Sequence, residues 1–234
     1  MPKRALVLSG GGMFAAFQAG AWRALAGRFQ PDIVIGASAG ALNAWTIASR
    51  IDPDLLCQFW LTLDQQIEAA PSLRWPRFLG DGILDTTALE ALLRRVTAKY
   101  TPVLPLGVTV CEGFRFQNRV YWDAEVTVEH LLASCAVPGV LPAKRLEGGL
   151  SFDGGLRAAC PVWVAEELGA TEIVAIDAWT HLPWWWSVGR RKRPDGPNVR
   201  RIQPPARLGP LRQSAVWDRG NMKRWIAAGE AAAR

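Results

Sequence analysis

One serine, one aspartate and a run of glycines are the residues in this chain whose types and spacing could do chemistry. Ser38 lies within Gly36-Ala37-Ser38-Ala39-Gly40, after the apolar run Ile33-Val34-Ile35 and before a helix-like stretch, Ala41 to Ser49. Strand, sharp turn and helix are the context in which G-x-S-x-G becomes a nucleophile elbow. The turn holds the serine at strained backbone angles, and glycine on either side removes Cβ atoms that would clash with neighbouring segments. The hydroxyl then projects from the carboxyl edge of a sheet, where open α/β folds bind their ligands.

A serine hydroxyl is a poor nucleophile until a base removes its proton, and the resulting oxyanion needs positioned donors. Gly10-Gly11-Gly12, directly after the strand-like Ala5-Leu6-Val7-Leu8-Ser9, meets the second need. Glycines at a strand-to-helix turn let backbone N–H groups converge, and the positive end of the next helix adds to them. The triplet also fits the permissive dinucleotide fingerprint, as Gly10-x-Gly12-x-x-Ala15. That fold wants an acidic residue at the end of its second strand. Here the second strand ends in Gly36-Ala37-Ser38, and Asp32 precedes it. The phosphate loop G-x-x-x-x-G-K-[ST] is absent as well.

The base has three candidates. A Ser-Asp-His triad would join His181 to Asp153 or Asp177. Hydrolases of that type place several strands before the elbow, whereas this chain reaches Ser38 with one strand ahead of it. His130 falls in a short helix and reads as an ordinary packed residue. Asp153 is the better candidate: it sits between apolar-rich strands and is followed at once by Gly154-Gly155. Asp-Gly is also common in plain turns. A carboxylate taking the serine proton directly would complete the mechanism without histidine. With two histidines and four scattered cysteines (Cys57, Cys111, Cys135, Cys160), no metal site and no cofactor are expected.

The elements that must position these groups alternate. Strands are expected at 5–9 and 33–37, with helices after each, which implies a parallel sheet with crossover helices. A helical insert follows over about 52–104, and Thr87-Ala88-Leu89-Glu90 reads as a capping box opening a helix to about Lys99. A strand resumes at Leu106–Cys111, and Phe114–Tyr121 reads as a hairpin turning at Gln117-Asn118. A short helix is expected over about 126–135, a second hairpin around Gly148-Gly149, a helix near 161–168 and a strand near 173–177. Residues 179–213 read as a loop-rich basic segment, and 217–233 as a terminal helix. The expectation is a three-layer α/β/α fold with a mostly parallel central sheet, forming one domain over residues 1–234.

Composition agrees: 50% of residues are hydrophobic and 21% charged, as in a globular protein. The early first strand leaves no room for a signal peptide, and no apolar run approaches the roughly 20 residues that cross a bilayer. A cytoplasmic protein is expected. Charge is uneven, because residues from Trp179 onward hold 12 Lys/Arg against 3 Asp/Glu. Trp184-Trp185-Trp186 followed by Arg190-Arg191-Lys192-Arg193 joins interfacial aromatics to a basic cluster, and peripheral contact with the inner membrane surface is expected there. No recognition module for nucleic acid is apparent.

Taken in order, Gly10-Gly11-Gly12, Gly36-Ala37-Ser38-Ala39-Gly40 and Asp153-Gly154-Gly155 resemble the motifs of the patatin-like phospholipase family. The likeness extends to Gly40-Ala41-Leu42-Asn43-Ala44 and Ala133-Ser134-Cys135-Ala136-Val137-Pro138-Gly139, and covers about residues 5–178. The resemblance implies a lipid acyl hydrolase with Ser38 as nucleophile and Asp153 as base. It implies an oxyanion hole at the glycine triplet, an acyl-enzyme intermediate, and a lipid or ester substrate hydrolysed without a metal. The chain departs from the family pattern at Phe14 and Ala15, where members usually carry Arg or Lys and then Gly. Losing that cation turns the expectation toward a neutral ester or thioester. The alternatives are a catalytically silent lipid-binding relative of the same fold and, more remotely, a dinucleotide-binding enzyme.

Overall fold

The computed structural model describes residues 4–66, 82, 84–180 and 195–234. Two strand–helix units come first: β1 (Arg4–Leu8), α1 (Ala16–Leu25), β2 (Ile33–Ala37) and α2 (Ala39–Ala48). The insert holds α3 (Pro53–Leu61), α4 (Leu63–Gln66) and α5 (Thr87–Lys99). Next come β3 (Leu106–Glu112), β4 (Gln117–Trp122), α6 (Val128–Ser134), β5 (Lys144–Leu146) and β6 (Gly149–Asp153). The chain closes with α7 (Val162–Glu167), β7 (Glu172–Ile176), β8 (Val199–Ile202) and α8 (Arg219–Ala233).

One sheet runs β5-β6-β3-β2-β1-β7-β8, with β4 also paired to β3. β3, β2, β1, β7 and β8 are mutually parallel, while β4 and β6 pair antiparallel with β3. The expected α/β fold with a mostly parallel sheet flanked by helices is therefore present. Alternation along the strands divides the core between two faces. Leu6, Leu8, Val34, Val108 and Ile176 pack with residues of α1, α2, α3, α6 and α8. Ala5, Val7, Ile33, Ile35 and Ala175 pack under α7 on the other face.

Three local readings need correction. The β3–β4 hairpin turns at residues 113–116, where Phe116 N–H donates to Gly113 O (3.0 Å), and Asn118 instead pairs with Cys111 inside the ladder. Phe114 and Phe116 have the side chains of strand residues, yet Phe114 is exposed and Phe116 adopts φ 48°. The capping box at Thr87 does not form. Thr86 is the cap position, and the Asp85 carboxylate accepts the Thr87 N–H (2.6 Å). Finally, the segment expected to be loop contains β8, a parallel edge strand whose Ile202 alone is buried.

Gly36 and Gly40 are required by close approach. A Cβ on Gly36 would lie 2.5 Å from Gly40 O, and one on Gly40 would lie 2.3 Å from Ser9 O and 2.7 Å from Leu8 O. These are backbone atoms and cannot swing aside. Gly27 has open space around it. Gly40→Ala is expected to destabilise the fold by about 3 kcal/mol, the upper end of overpacking penalties. By thermal denaturation the melting temperature should fall roughly 6–12 °C, whereas Gly27→Ala should leave it nearly unchanged.

Candidate active site

The parallel register brings the carboxyl ends of β1, β2 and β3 together. Ser38 follows β2 at φ 55°, a conformation that non-glycine side chains rarely adopt, and is 7% exposed at the start of α2. Ser38 thus occupies a strained turn between β2 and α2. Its amide donates to Ser134 Oγ (2.8 Å), and Ser134 Oγ donates in turn to Thr109 O (2.8 Å). A buried hydroxyl from α6 therefore ties the elbow to β3.

Asp153 reaches the same place by a different route. β4 pairs with residues 107–112 of β3 along one edge. The opposite edge is shared: β2 occupies it as far as the pair Ala37–Thr109, and β6 takes over from the pair Asp153–Val110. The ends of β2 and β6 consequently abut. Asp153 is 2% exposed, its Oδ1 accepts the Gly155 N–H (2.7 Å), and its own amide donates to Ala136 O (2.9 Å). Gly154 sits where a Cβ would meet Thr109 O at 2.0 Å. Cys135, at the end of α6, lies within electrostatic reach of both Ser38 and Asp153. Burial pushes the Cys135 thiol up, so it is a neutral neighbour rather than a competing nucleophile.

The glycine turn lies against the elbow, with a Cβ on Gly10 only 3.1 Å from Ser38 Cβ. The Gly10 amide already donates to Ala159 O (2.7 Å). Among the described residues, no hydrogen-bond acceptor meets the amides of Gly11 and Gly12, which open a 3-10 turn (Gly12–Ala15). Of the three glycines expected to serve an oxyanion, two retain their donors. A buried polar network fixes this loop. Gln18 donates to Ser9 O (2.6 Å), Asn43 donates to Gln18 Oε1 (3.0 Å), and Trp60 Nε1 donates to Asn43 Oδ1 (2.9 Å). Ser9 Oγ also accepts the Ala178 amide (2.9 Å). Phe14, where the family resemblance implies a basic residue, is buried edge-on against Trp179 (5.3 Å) and Trp225 (4.9 Å).

The other candidate acids and bases lie elsewhere. His130 is buried, and its Nδ1 accepts the Thr127 N–H (3.2 Å) at the start of α6. Desolvation holds its imidazole below the usual range, consistent with a neutral structural residue. Asp177 follows β7, on the far side of β1 from Ser38, and accepts from Arg201 (2.7 Å) and the Trp179 amide (3.1 Å). Burial pushes its carboxyl up against the opposing pull of the Arg201 guanidinium. His181, Trp184–Trp186 and Arg190–Arg193 lie outside the described residues.

Ser38 opens onto a cavity of about 300 Å³ between α2, α3, α5 and α6. Its walls are almost entirely apolar and include Leu42, Leu56, Leu89, Leu92, Val96 and Leu131. Asp85 is the one formally charged side chain among the described lining residues. Helix α5 roofs this space and is tied to the body by ion pairs from Arg94 to Glu129 (2.8 Å) and from Lys144 to Glu90 (3.5 Å). The roles of Ser134, Gln18 and this cavity were not apparent from sequence, although Ser134 and Asn43 lie in stretches that carry the family likeness.

Comparison with known proteins agrees with the motifs. Residues 6–166 match the family described as "Patatin-like phospholipase". Patatin-like phospholipase domain-containing proteins of Aspergillus terreus and Aspergillus oryzae are each 30% identical over 197 residues, covering 68% of this chain. The chain spans 27% of the length of each relative. The crystal structure of VipD from Legionella pneumophila superposes with a TM-score of 0.48 at 14% identity, covering 98% of this chain and 67% of that one. The family match covers more than half of the sequence, and the chain belongs to the patatin-like phospholipase family.

Proposed function

We propose that this protein is a lipid acyl hydrolase in which Ser38 attacks an ester carbonyl and Asp153 takes its proton. The observation that carries this reading is the end-to-end meeting of β2 and β6 on one edge of β3, with Ser38 lining an apolar cavity. The amides of Gly11 and Gly12 would hold the oxyanion, assisted by the N-terminal dipole of α2. Collapse of the tetrahedral intermediate expels the alcohol, protonated by Asp153, and leaves the acyl group on Ser38 Oγ. Asp153 then activates water to release the fatty acid and restore the serine.

The cavity supports an acyl chain as the part of the substrate that is recognised. Each buried methylene contributes about 0.8 kcal/mol. With Phe14 buried in an aromatic cluster and Asp85 the charged group at the cavity, an ester with an uncharged leaving group fits better than an anionic one.

A panel of alkanoyl esters of one chromogenic alcohol tests the reading. kcat/KM should rise up to about fourfold per added methylene until the cavity is filled. Ser38→Ala and Asp153→Asn should each lower kcat at least about a thousandfold, while His181→Ala should retain most activity. Hydrolysis that survives Ser38→Ala, or collapses with His181→Ala, contradicts the proposal. Ser134 is proposed as a positioning residue. Ser134→Ala leaves the strained elbow amide without its acceptor, and kcat should fall by about tenfold to a hundredfold with KM little changed. A merely structural role would lower the melting temperature and leave kcat of the folded protein intact.

A further inference from the structure

The chain between β8 and α8 forms part of the cavity wall and carries a surface that catalysis does not use. Leu211–Ser214 is a 3-10 turn opened by Pro210. Ser214 and Ala215 line the cavity together with Gly12. The segment is pressed onto the glycine loop, since a Cβ on Gly12 would lie 2.1 Å from Ser214 O. It is anchored at both ends: Trp225 Nε1 donates to Leu208 O (2.9 Å), and Trp217 Nε1 donates to Trp60 O (2.9 Å).

Between those anchors apolar side chains face water. Leu211 is 42% exposed and Val216 60% exposed, and Pro210 and Ala215 beside them are also exposed. Scattered apolar residues on a surface are ordinary, but here two large ones lie on either side, in sequence, of the cavity-lining Ser214 and Ala215. Apart from Asp218, the charged residues of this stretch of chain share one sign. Arg207, Arg212, Arg219 and Lys223 are all exposed. The acidic residue nearest them in sequence, Asp218, is committed to capping α8 by accepting the Asn221 N–H (2.7 Å). Clustered cations attract anionic headgroups, and apolar side chains among them can enter the headgroup boundary.

We propose that residues 207–219 are the surface on which this protein seats against an anionic lipid bilayer. The cavity mouth then faces the membrane, and an acyl chain passes toward Ser38 without crossing water. The function proposed above supplies the reason for such a seat. The surface itself can be tested without catalysis.

Cosedimentation of the Ser38→Ala protein with vesicles provides that test. Phosphatidylcholine alone is compared with phosphatidylcholine mixed with phosphatidylglycerol. The parent should partition onto the mixed vesicles and much less onto the neutral ones. Arg207→Gln with Arg212→Gln and Arg219→Gln should weaken partition at least about tenfold. Leu211→Ser with Val216→Ser should weaken it about as much while leaving the charge unchanged. With Ser38 restored, both sets should hydrolyse a water-soluble short-chain ester at the parent rate. Equal binding to neutral and anionic vesicles, or unchanged partition in either set, overturns the proposal. An unchanged Leu211/Val216 pair would leave only charge attraction, as a polyanion such as nucleic acid would also give. Residue-dependent vesicle binding by a parent that hydrolyses no ester would uphold the surface and sink the catalytic reading.

Discussion

The structure of this site depends on how one edge of β3 is divided. Thr109 pairs with the last residue of β2 and Val110 with the last residue of β6. Adjacent residues of a strand are about 3.3 Å apart along its axis, so the two incoming strands end within one residue step of each other. Had β2 extended further along that edge, β6 could not have paired there. Asp153 would then lie apart from Ser38. The elbow turn after Ala37 ends β2 and so frees the edge for β6.

Such an arrangement is costly. A strained serine conformation costs of order 1–3 kcal/mol, and a buried carboxylate needs donors to offset its lost hydration. The surroundings supply compensation from several directions. Gly36 lets α2 start close against β2 and Gly40 lets it run close to the end of β1, Ser134 accepts the elbow amide, and Gly155 donates to Asp153. Behind them, the Ser9–Gln18–Asn43–Trp60 chain satisfies buried polar groups in the glycine loop and joins α1, α2 and α3. Phe14 adds aromatic packing that holds the glycine loop against Trp225 of α8.

Much of this was legible because short-range rules govern it. An apolar run, a glycine-flanked serine and a helix-forming stretch specify an elbow from neighbours alone. The same holds for the glycine triplet after β1 and for the general α/β order. What stayed hidden depends on distant partners or on weak local patterns. Ser134 meets Ser38 across 96 positions, and nothing in its immediate sequence marks its hydroxyl as an acceptor. β8 reads Val-Arg-Arg-Ile, and with one buried side chain at a sheet edge it lacks the apolar run that marked the other strands. The hairpin turn at 113–116 was masked by phenylalanines, one of them exposed, because strand propensity reports side-chain type rather than actual burial.

The central claim is that Asp153 activates Ser38 directly. The most direct measurement is reaction of the native protein with a fluorophosphonate probe, followed by mass-spectrometric mapping of the modified peptide. The account predicts stoichiometric modification of Ser38, with the rate greatly reduced by Asp153→Asn in a protein that melts cooperatively. Modification of a different serine, or an undiminished rate in Asp153→Asn, would contradict it.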